Sequence, residues 1–272
     1  MKKTFGVNLK IIILAAGEGK RLRPLTSERP KCLVDLFGKS ILEWQFDAFK
    51  KYNITDISIV TGYRKEMITF PNITYFENPK YSTTNMVETL FCAKDKLQDS
   101  VIVSYGDIIF QHDVLEKLLD SEDDFSIVID EEWEKYWNIR TSNPLTDVES
   151  LIVEDGYIKN IGQKVSSLEK IQGQYIGLMK FQNNGLEFLK TFYQTAKNES
   201  FMGNLLNPNL PFEKSYMTDL LQGLIDSGCN LKAVPIKNGW LELDSFSDYE
   251  IYNKKFMDNT ISEFFATDNN KL

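Results

Sequence analysis

The chain has 272 residues, 42% of them hydrophobic and 26% charged, with a formal net charge of −8. That length can bury one large core, and the acidic balance argues against a surface built for nucleic acid or an anionic membrane, which needs a basic patch. Three cysteines without metal-ligand spacing (Cys32, Cys92, Cys229) and the single histidine, His112, exclude a disulfide framework, a multi-histidine metal site and a histidine-dependent triad elsewhere.

The thiols read as free in a reducing cytoplasm. The first ten residues carry no long apolar region, so neither a signal peptide nor a membrane anchor is expected. The first element is a strand, Ile11-Ile12-Ile13-Leu14-Ala15-Ala16, which empties into Gly17-Glu18-Gly19-Lys20-Arg21-Leu22-Arg23-Pro24-Leu25-Thr26. An uninterrupted aliphatic run has both faces covered, as in the central strand of a parallel sheet. Ligands bind such sheets at the carboxyl ends of the strands. Gly17 and Gly19 allow backbone N–H groups to approach phosphate oxygens or a base edge. Arg21 adds a fixed cation and Lys31 a second, at the end of a loop stiffened by Pro24 and Pro30.

A helix follows from about Ser40, with Leu42, Phe46 and Phe49 at helical spacing and Ser40 with Glu43 as a capping box. Ile57 to Gly62 and Ile73 to Phe76 are the next strands, and the alternation predicts a doubly wound sheet. Asn78 to Asn85 is a polar loop ahead of a helix that places Met86, Leu90, Ala93 and Leu97 on one face. Thr84 and Asn85 there either cap the helix or read the edge of a base. Val101 to Ser104 is another buried strand, ending at Gly106-Asp107; the aspartate is either a turn former or an oxygen ligand for a metal.

Phe125 to Asp130 is a further strand, and Glu131 to Trp137 mixes aromatics with carboxylates. Trp133, Tyr136 and Trp137 are either packing surface or a cation–π pocket for an amine or quaternary ammonium. Leu151 to Ile158 reads as a hairpin with an Asp155-Gly156 turn. Gln174 to Phe181 is a strand in which Gly177 is expected to let backbone approach an acceptor. A helix from about Gly185 to Lys197 precedes a turn-rich loop, Asn204 to Pro211, the candidate for a mobile or oligomer-contacting insert. Tyr216 to Ile225 is an amphipathic helix stopped at Gly228, and Leu231 to Pro235 a short edge-like strand. Strand alternation in Trp240 to Asp244 puts Glu242 and Asp244 on the face of Trp240. A covering helix spans Phe246 to Phe256, and the tail from about Asp258 is weakly specified. With no repeat or linker, one domain is expected over 1–262, with a tail at 263–272.

The string Leu14-Ala15-Ala16-Gly17-x-Gly19-x-Arg21-Leu22-x-Pro24-Leu25-Thr26-x-x-x-Pro30-Lys31 resembles, position for position, the signature of the nucleoside-triphosphate transferase family that includes the sugar-1-phosphate nucleotidylyltransferases. It is neither a P-loop nor the dinucleotide fingerprint. Asn78-Pro79-x-Tyr81-x-x-Thr84-Asn85 and Gly173-Gln174-Tyr175-Ile176-Gly177-Leu178 resemble the phosphocholine cytidylyltransferase branch, and the Gly-Thr-Ala segment of the sugar enzymes is absent.

The resemblance implies a Rossmann-like α/β fold: a doubly wound, mixed, mainly parallel sheet with helices on both faces and a small acceptor-binding β subregion, with a nucleotide-binding half at about 9–130 and an acceptor-binding half at about 131–262. It implies a cytidylyltransferase that moves CMP from CTP to a small phosphorylated amino alcohol, phosphocholine being favoured, and releases pyrophosphate. Phosphoethanolamine, an aminoalkylphosphonate and a phosphorylated amino acid amide are alternative acceptors. A sugar-1-phosphate nucleotidylyltransferase and a catalytically silent nucleotide-binding subunit are alternative functions. Arg21, Lys31 and Asp107 are then catalytic, and Asp107 and Asp244 hold Mg²⁺. Leu14, Ala15, Ala16, Gly17, Glu18, Gly19, Thr84, Asn85 and Gly106 bind nucleotide. Trp133, Tyr136, Trp137, Lys164, Tyr175 and Glu242 bind the acceptor. CTP and the acceptor are the expected partners, with no nucleic acid or membrane, and a homo-oligomer is left open.

Overall fold

In the first strand Ile11 and Ile13 join one hydrophobic cluster while Ile12 and Leu14 join another, so alternate side chains enter separate cores on the two faces of the sheet. The computed structural model describes residues 9–267. Its strands are β1 (Leu9–Ala15), β2 (Asp35–Leu36), β3 (Lys39–Ser40), β4 (Asp56–Thr61), β5 (Thr74–Glu77), β6 (Ser100–Tyr105), β7 (Ile108–Phe110), β8 (Phe125–Asp130), β9 (Glu149–Glu154), β10 (Tyr157–Lys164), β11 (Gln174–Gln182), β12 (Leu231–Ile236) and β13 (Trp240–Glu242). Its helices are α1 (Ile41–Lys51), α2 (Met86–Phe91), α3 (His112–Asp120), α4 (Trp133–Arg140), α5 (Asn184–Glu199), α6 (Met217–Asp226) and α7 (Phe246–Met257). No helix among the described residues is long and apolar enough to cross a membrane.

Nine strands form one mixed sheet in the order β5-β4-β1-β6-β11-β8-β12-β10-β9. β5, β4, β1 and β6 run parallel, β11 is antiparallel to β6 and β8, and β12 is parallel to β8. The chain leaves β1 toward β4 on one side and returns to β6 on the other, and the crevice at such a switch point is where α/β sheets bind ligands. Residues of α1, α3, α4 and α7 pack on one face, and residues of α2, α5 and α6 on the other. Ser40 and Glu43 form the expected capping box on α1.

Three expectations need correction. β12 is internal between β8 and β10, not at an edge; it tolerates Pro235 because β10 pairs only with Leu231 and Lys232, leaving Pro235 with β8 alone. α2 stops at Phe91, and a 3-10 turn at Lys94–Lys96 accompanies the inward packing of Ala93 and Leu97. The tail is anchored as far as it is described: Phe264 and Phe265 are buried, and the Phe264 carbonyl accepts from Gly239 N–H at 2.7 Å. Positions 268–272 of the expected tail lie outside the described residues. Gly177 has φ +83° and a Cβ there would lie 2.6 Å from the Tyr105 ring, so the space its missing side chain leaves is taken by Tyr105.

Candidate active site

A cavity of about 300 Å³ opens at the carboxyl ends of β1 and β6. Gly106 follows β6, and its N–H donates to the Leu14 carbonyl at 2.9 Å. A Cβ at Gly106 would stand 2.7 Å from that same oxygen, so only glycine lets the two strand ends close on each other. Leu14, Ala15, Ala16, Gly17, Gly19, Thr84, Asn85 and Gly106 all line the cavity, together with Arg21, Lys31, Asp107 and Asp244. Glu18 does not; its carboxylate pairs with Arg23, and with Lys20 at 3.2 Å. Asn85 caps α2 by accepting from Met86 N–H at 2.9 Å, and it also lines the cavity.

The chemistry-bearing side chains converge because two short strands pair. β7 and β13 form an antiparallel ladder matching Ile108 with Glu242, and the Asp107 carbonyl accepts from Leu243 N–H at 2.9 Å. The ladder ends with Asp107, Glu242 and Asp244 side by side, and one ligand atom from each falls within 4.8 Å of the others. Glu242, expected in the acceptor pocket, thus joins the carboxylates expected to hold metal.

A 3-10 turn at Lys31–Leu33 brings Lys31 Nζ to 2.9 Å from both Asp107 Oδ2 and Asp244 Oδ1, and Arg21 reaches Asp244 Oδ2 at 2.7 Å. Arg140 pairs with Glu242 at 3.0 Å. Burial would lower the Lys31 ammonium, but Asp107, Asp244 and Glu242 outweigh it and hold it well above its ordinary value. Burial would raise the Asp244 carboxyl, but Lys31, with Arg21 and Arg140, draws it down. Burial raises the Glu242 carboxyl; Arg140 and Lys31 oppose the shift while Asp107 and Asp244 add to it. Cys32, in the cavity wall, is pushed up by burial to about 12 and is no thiolate.

Three clustered carboxylates suit a hard divalent cation, which takes oxygen ligands. Asp107 Oδ1 is buried without a hydrogen-bond partner among the described residues, an acceptor waiting for a positive ligand. The donor set therefore fits a divalent metal.

The aromatic expectation fails. Trp133, Tyr136 and Trp137 are 4%, 1% and 5% exposed, packed with Trp240, Tyr252 and Phe264 in the core. The Arg140 guanidinium already lies 5.2 Å from the Tyr136 ring centre and 5.3 Å from that of Trp137, so no open cage for an ammonium remains there. Lys164 is exposed at the end of β10 and does not line the cavity. Tyr175 stands behind the wall, edge-on to Tyr105 with centroids 5.7 Å apart.

Sequence reasoning missed Tyr81 and Tyr105, which line the cavity within strings already singled out for other reasons. It also missed Gln45. This fully buried α1 side chain donates at 2.8 Å to the carbonyls of both Tyr105 and Ile108, fixing the turn that carries Asp107.

Residues 11–166 match the model of the MobA-like NTP transferase domain. A CTP:phosphoglutamine cytidylyltransferase from Campylobacter jejuni is 38% identical over 258 residues, covering 91% of this chain and all of that protein. A choline-phosphate cytidylyltransferase from Streptococcus pneumoniae is 36% identical over 108 residues, 38% of this chain and 47% of that protein. The solved structure of CTP:phosphocholine cytidylyltransferase from Streptococcus pneumoniae superimposes with a TM-score of 0.68 at 22% identity, covering 92% of this chain and 100% of that one, which is a likeness of fold. With a domain match over more than half its length and a relative similar along its whole sequence, the chain belongs to the MobA-like NTP transferase family and is a nucleotidyltransferase.

Proposed function

We propose that the chain transfers CMP from CTP to a phosphorylated amino acid amide of the phosphoglutamine type and releases pyrophosphate. The observation that carries both base and acceptor is the 38% identity to the Campylobacter jejuni enzyme along that protein's full length. The buried aromatic run, with Arg140 on its rings, weighs against phosphocholine, whose quaternary ammonium calls for an accessible aromatic face.

The chemistry asks for position and charge. An acceptor phosphate oxygen is already anionic, so no side chain has to remove a proton before it attacks the α-phosphorus in line. Gly17, where an added Cβ would meet nothing within 4 Å, leaves the cavity wall open for phosphate or base to approach the backbone. Asp107, Glu242 and Asp244 would hold Mg²⁺, which when bound would supply positive charge to the reacting phosphates. Arg21, whose side chain is 71% exposed beside Asp244, is the cation free enough of the protein to pair with the leaving pyrophosphate. Lys31, at 12%, stays at the reacting centre and offsets repulsion between the two anions.

Pyrophosphate release with Mg²⁺ tests this, crossing the four common nucleoside triphosphates against phosphoglutamine, phosphocholine, phosphoethanolamine, an aminoethylphosphonate and glucose 1-phosphate. Turnover confined to CTP with phosphoglutamine is expected. Preferred turnover of phosphocholine or glucose 1-phosphate would reject the acceptor, and preferred use of another triphosphate would reject the base.

A further inference from the structure

Glu242 and Asp244 enter the site from the end of β13 and the start of α7, and one buried side chain outside the cavity ties both of them down. Arg140 is the last residue of α4 and its side chain is 7% exposed. Its Nη2 forms an ion pair with Glu242 Oε2 at 3.0 Å, while Nε donates to Asp248 Oδ1 at 3.1 Å and Nη2 to Asp248 Oδ2 at 3.4 Å. Asp248, with a side chain 4% exposed, in turn accepts from the backbone N–H groups of Ser245 at 2.8 Å and Asp244 at 3.2 Å. One planar guanidinium thus reaches the Glu242 carboxylate directly and the Asp244 backbone through Asp248.

The helix that carries Arg140 holds the Glu242 backbone too. Glu242 N–H donates to Tyr136 Oη at 2.7 Å, and Tyr252 Oη donates to the Glu242 carbonyl at 2.9 Å. Arg140 Nη1 is left buried without a hydrogen-bond partner among the described residues, which costs stability; stability alone therefore does not account for the arrangement.

We propose that Arg140 is a positioning residue, fixing the spacing of Glu242 and Asp244 so that the three-carboxylate cluster binds a divalent cation. Only a forked, planar cation spans Asp248 and Glu242 together; lysine keeps the charge but offers a single point of contact. Loss of partners that orient metal-binding carboxylates typically weakens metal affinity about 10- to 100-fold. The proposal rests on the carboxylates being a metal site and is independent of the acceptor.

Mn²⁺ alone is the probe, its free concentration read by electron paramagnetic resonance in titrations of the wild type, Arg140→Lys and Asp248→Asn. Because Arg140→Lys conserves charge, a change in its Mn²⁺ dissociation constant reports geometry rather than Coulomb attraction. The constant is expected to rise about 10-fold or more while near-ultraviolet circular dichroism from the buried tryptophans is retained. Asp248→Asn keeps a side-chain oxygen to cap α7 but loses the charged pair, and the same direction is expected. It carries the test if Arg140→Lys fails to fold. Unchanged or tighter Mn²⁺ binding in the folded variants would overturn the role of Arg140. No Mn²⁺ binding by the wild type would instead overturn the metal assignment, and with it this proposal.

Discussion

Lys31 Nζ stands 2.9 Å from Asp107 and 2.9 Å from Asp244, carboxylates 76 and 213 positions away along the chain. With Arg21 on Asp244 and Arg140 shared between Glu242 and Asp248, each carboxylate of the site is already engaged by a protein cation, and one oxygen of Asp107 is left without a hydrogen-bond partner among the described residues. The phosphates of a nucleotide and an acceptor then need compensating positive charge of their own, which is the place for a divalent cation.

Lys31→Met should show this pairing directly. Leaving the part-buried carboxylates of Asp107 and Asp244 without their shared partner should destabilise the fold, and losing a preorganised charge at the reacting phosphates costs about 10²-fold in rate. Added Mg²⁺ should raise the thermal midpoint of Lys31→Met more than that of the wild type, because the variant has lost a competing cation and gained repulsion. Equal shifts in differential scanning calorimetry would contradict the shared site.

Gln45→Leu tests how the Asp107 turn is held. Leucine conserves much of the volume but removes the donor to both carbonyls, leaving the Tyr105 carbonyl with Ser104 Oγ alone and the buried Ile108 carbonyl without its side-chain partner. A buried carbonyl that loses its partner costs about 1–3 kcal/mol, so the urea midpoint should fall, and kcat should fall more than the affinity for CTP. A variant as stable and active as the wild type would show that the turn needs no such support.

The local parts of this molecule were legible in sequence, and the parts assembled over long separations were not. The β1 run and the glycine loop after it state their environment through their own side chains, as does the Ser40–Glu43 cap. Arg21, Lys31, Asp107 and Asp244 were legible through the strings they belong to. Whether Trp133, Tyr136 and Trp137 form a pocket or a core depends on where α4 docks. That is decided by partners such as Tyr252, 116 positions from Tyr136, which composition cannot reveal. The same holds for Gln45, whose carbonyl partners lie 60 and 63 positions on, and for Arg140, 108 positions from Asp248. The Leu231 to Pro235 segment read as edge-like; the early departure of β10 leaves Pro235 paired on one side only, which is how the strand lies inside the sheet and still carries a proline.

Glu149 gives a pH signature distinct from the catalytic centre. Burial, then Asp219 and Asp147, push its carboxyl from 4.5 up to about 7, against a hydrogen bond from Thr218. The folded state therefore keeps a proton that the unfolded chain releases, and this contribution to stability is lost as pH rises from about 4.5 through about 7. Glu149→Gln removes it. Between pH 5 and pH 8 the wild type should lose more stability than the variant, by at most about 1.4 kcal/mol per pH unit. Parallel urea-midpoint curves would contradict the shift.

The most direct measurement is product identification by mass spectrometry and ³¹P NMR after incubation of CTP, phosphoglutamine and Mg²⁺ with the wild type and Asp107→Ala. A cytidine diphosphate-linked product formed one-to-one with pyrophosphate is predicted for the wild type, with the folded variant below about a hundredth of that rate. No linked product from the wild type, or product formation by Asp107→Ala above about a tenth of the wild-type rate, would contradict it.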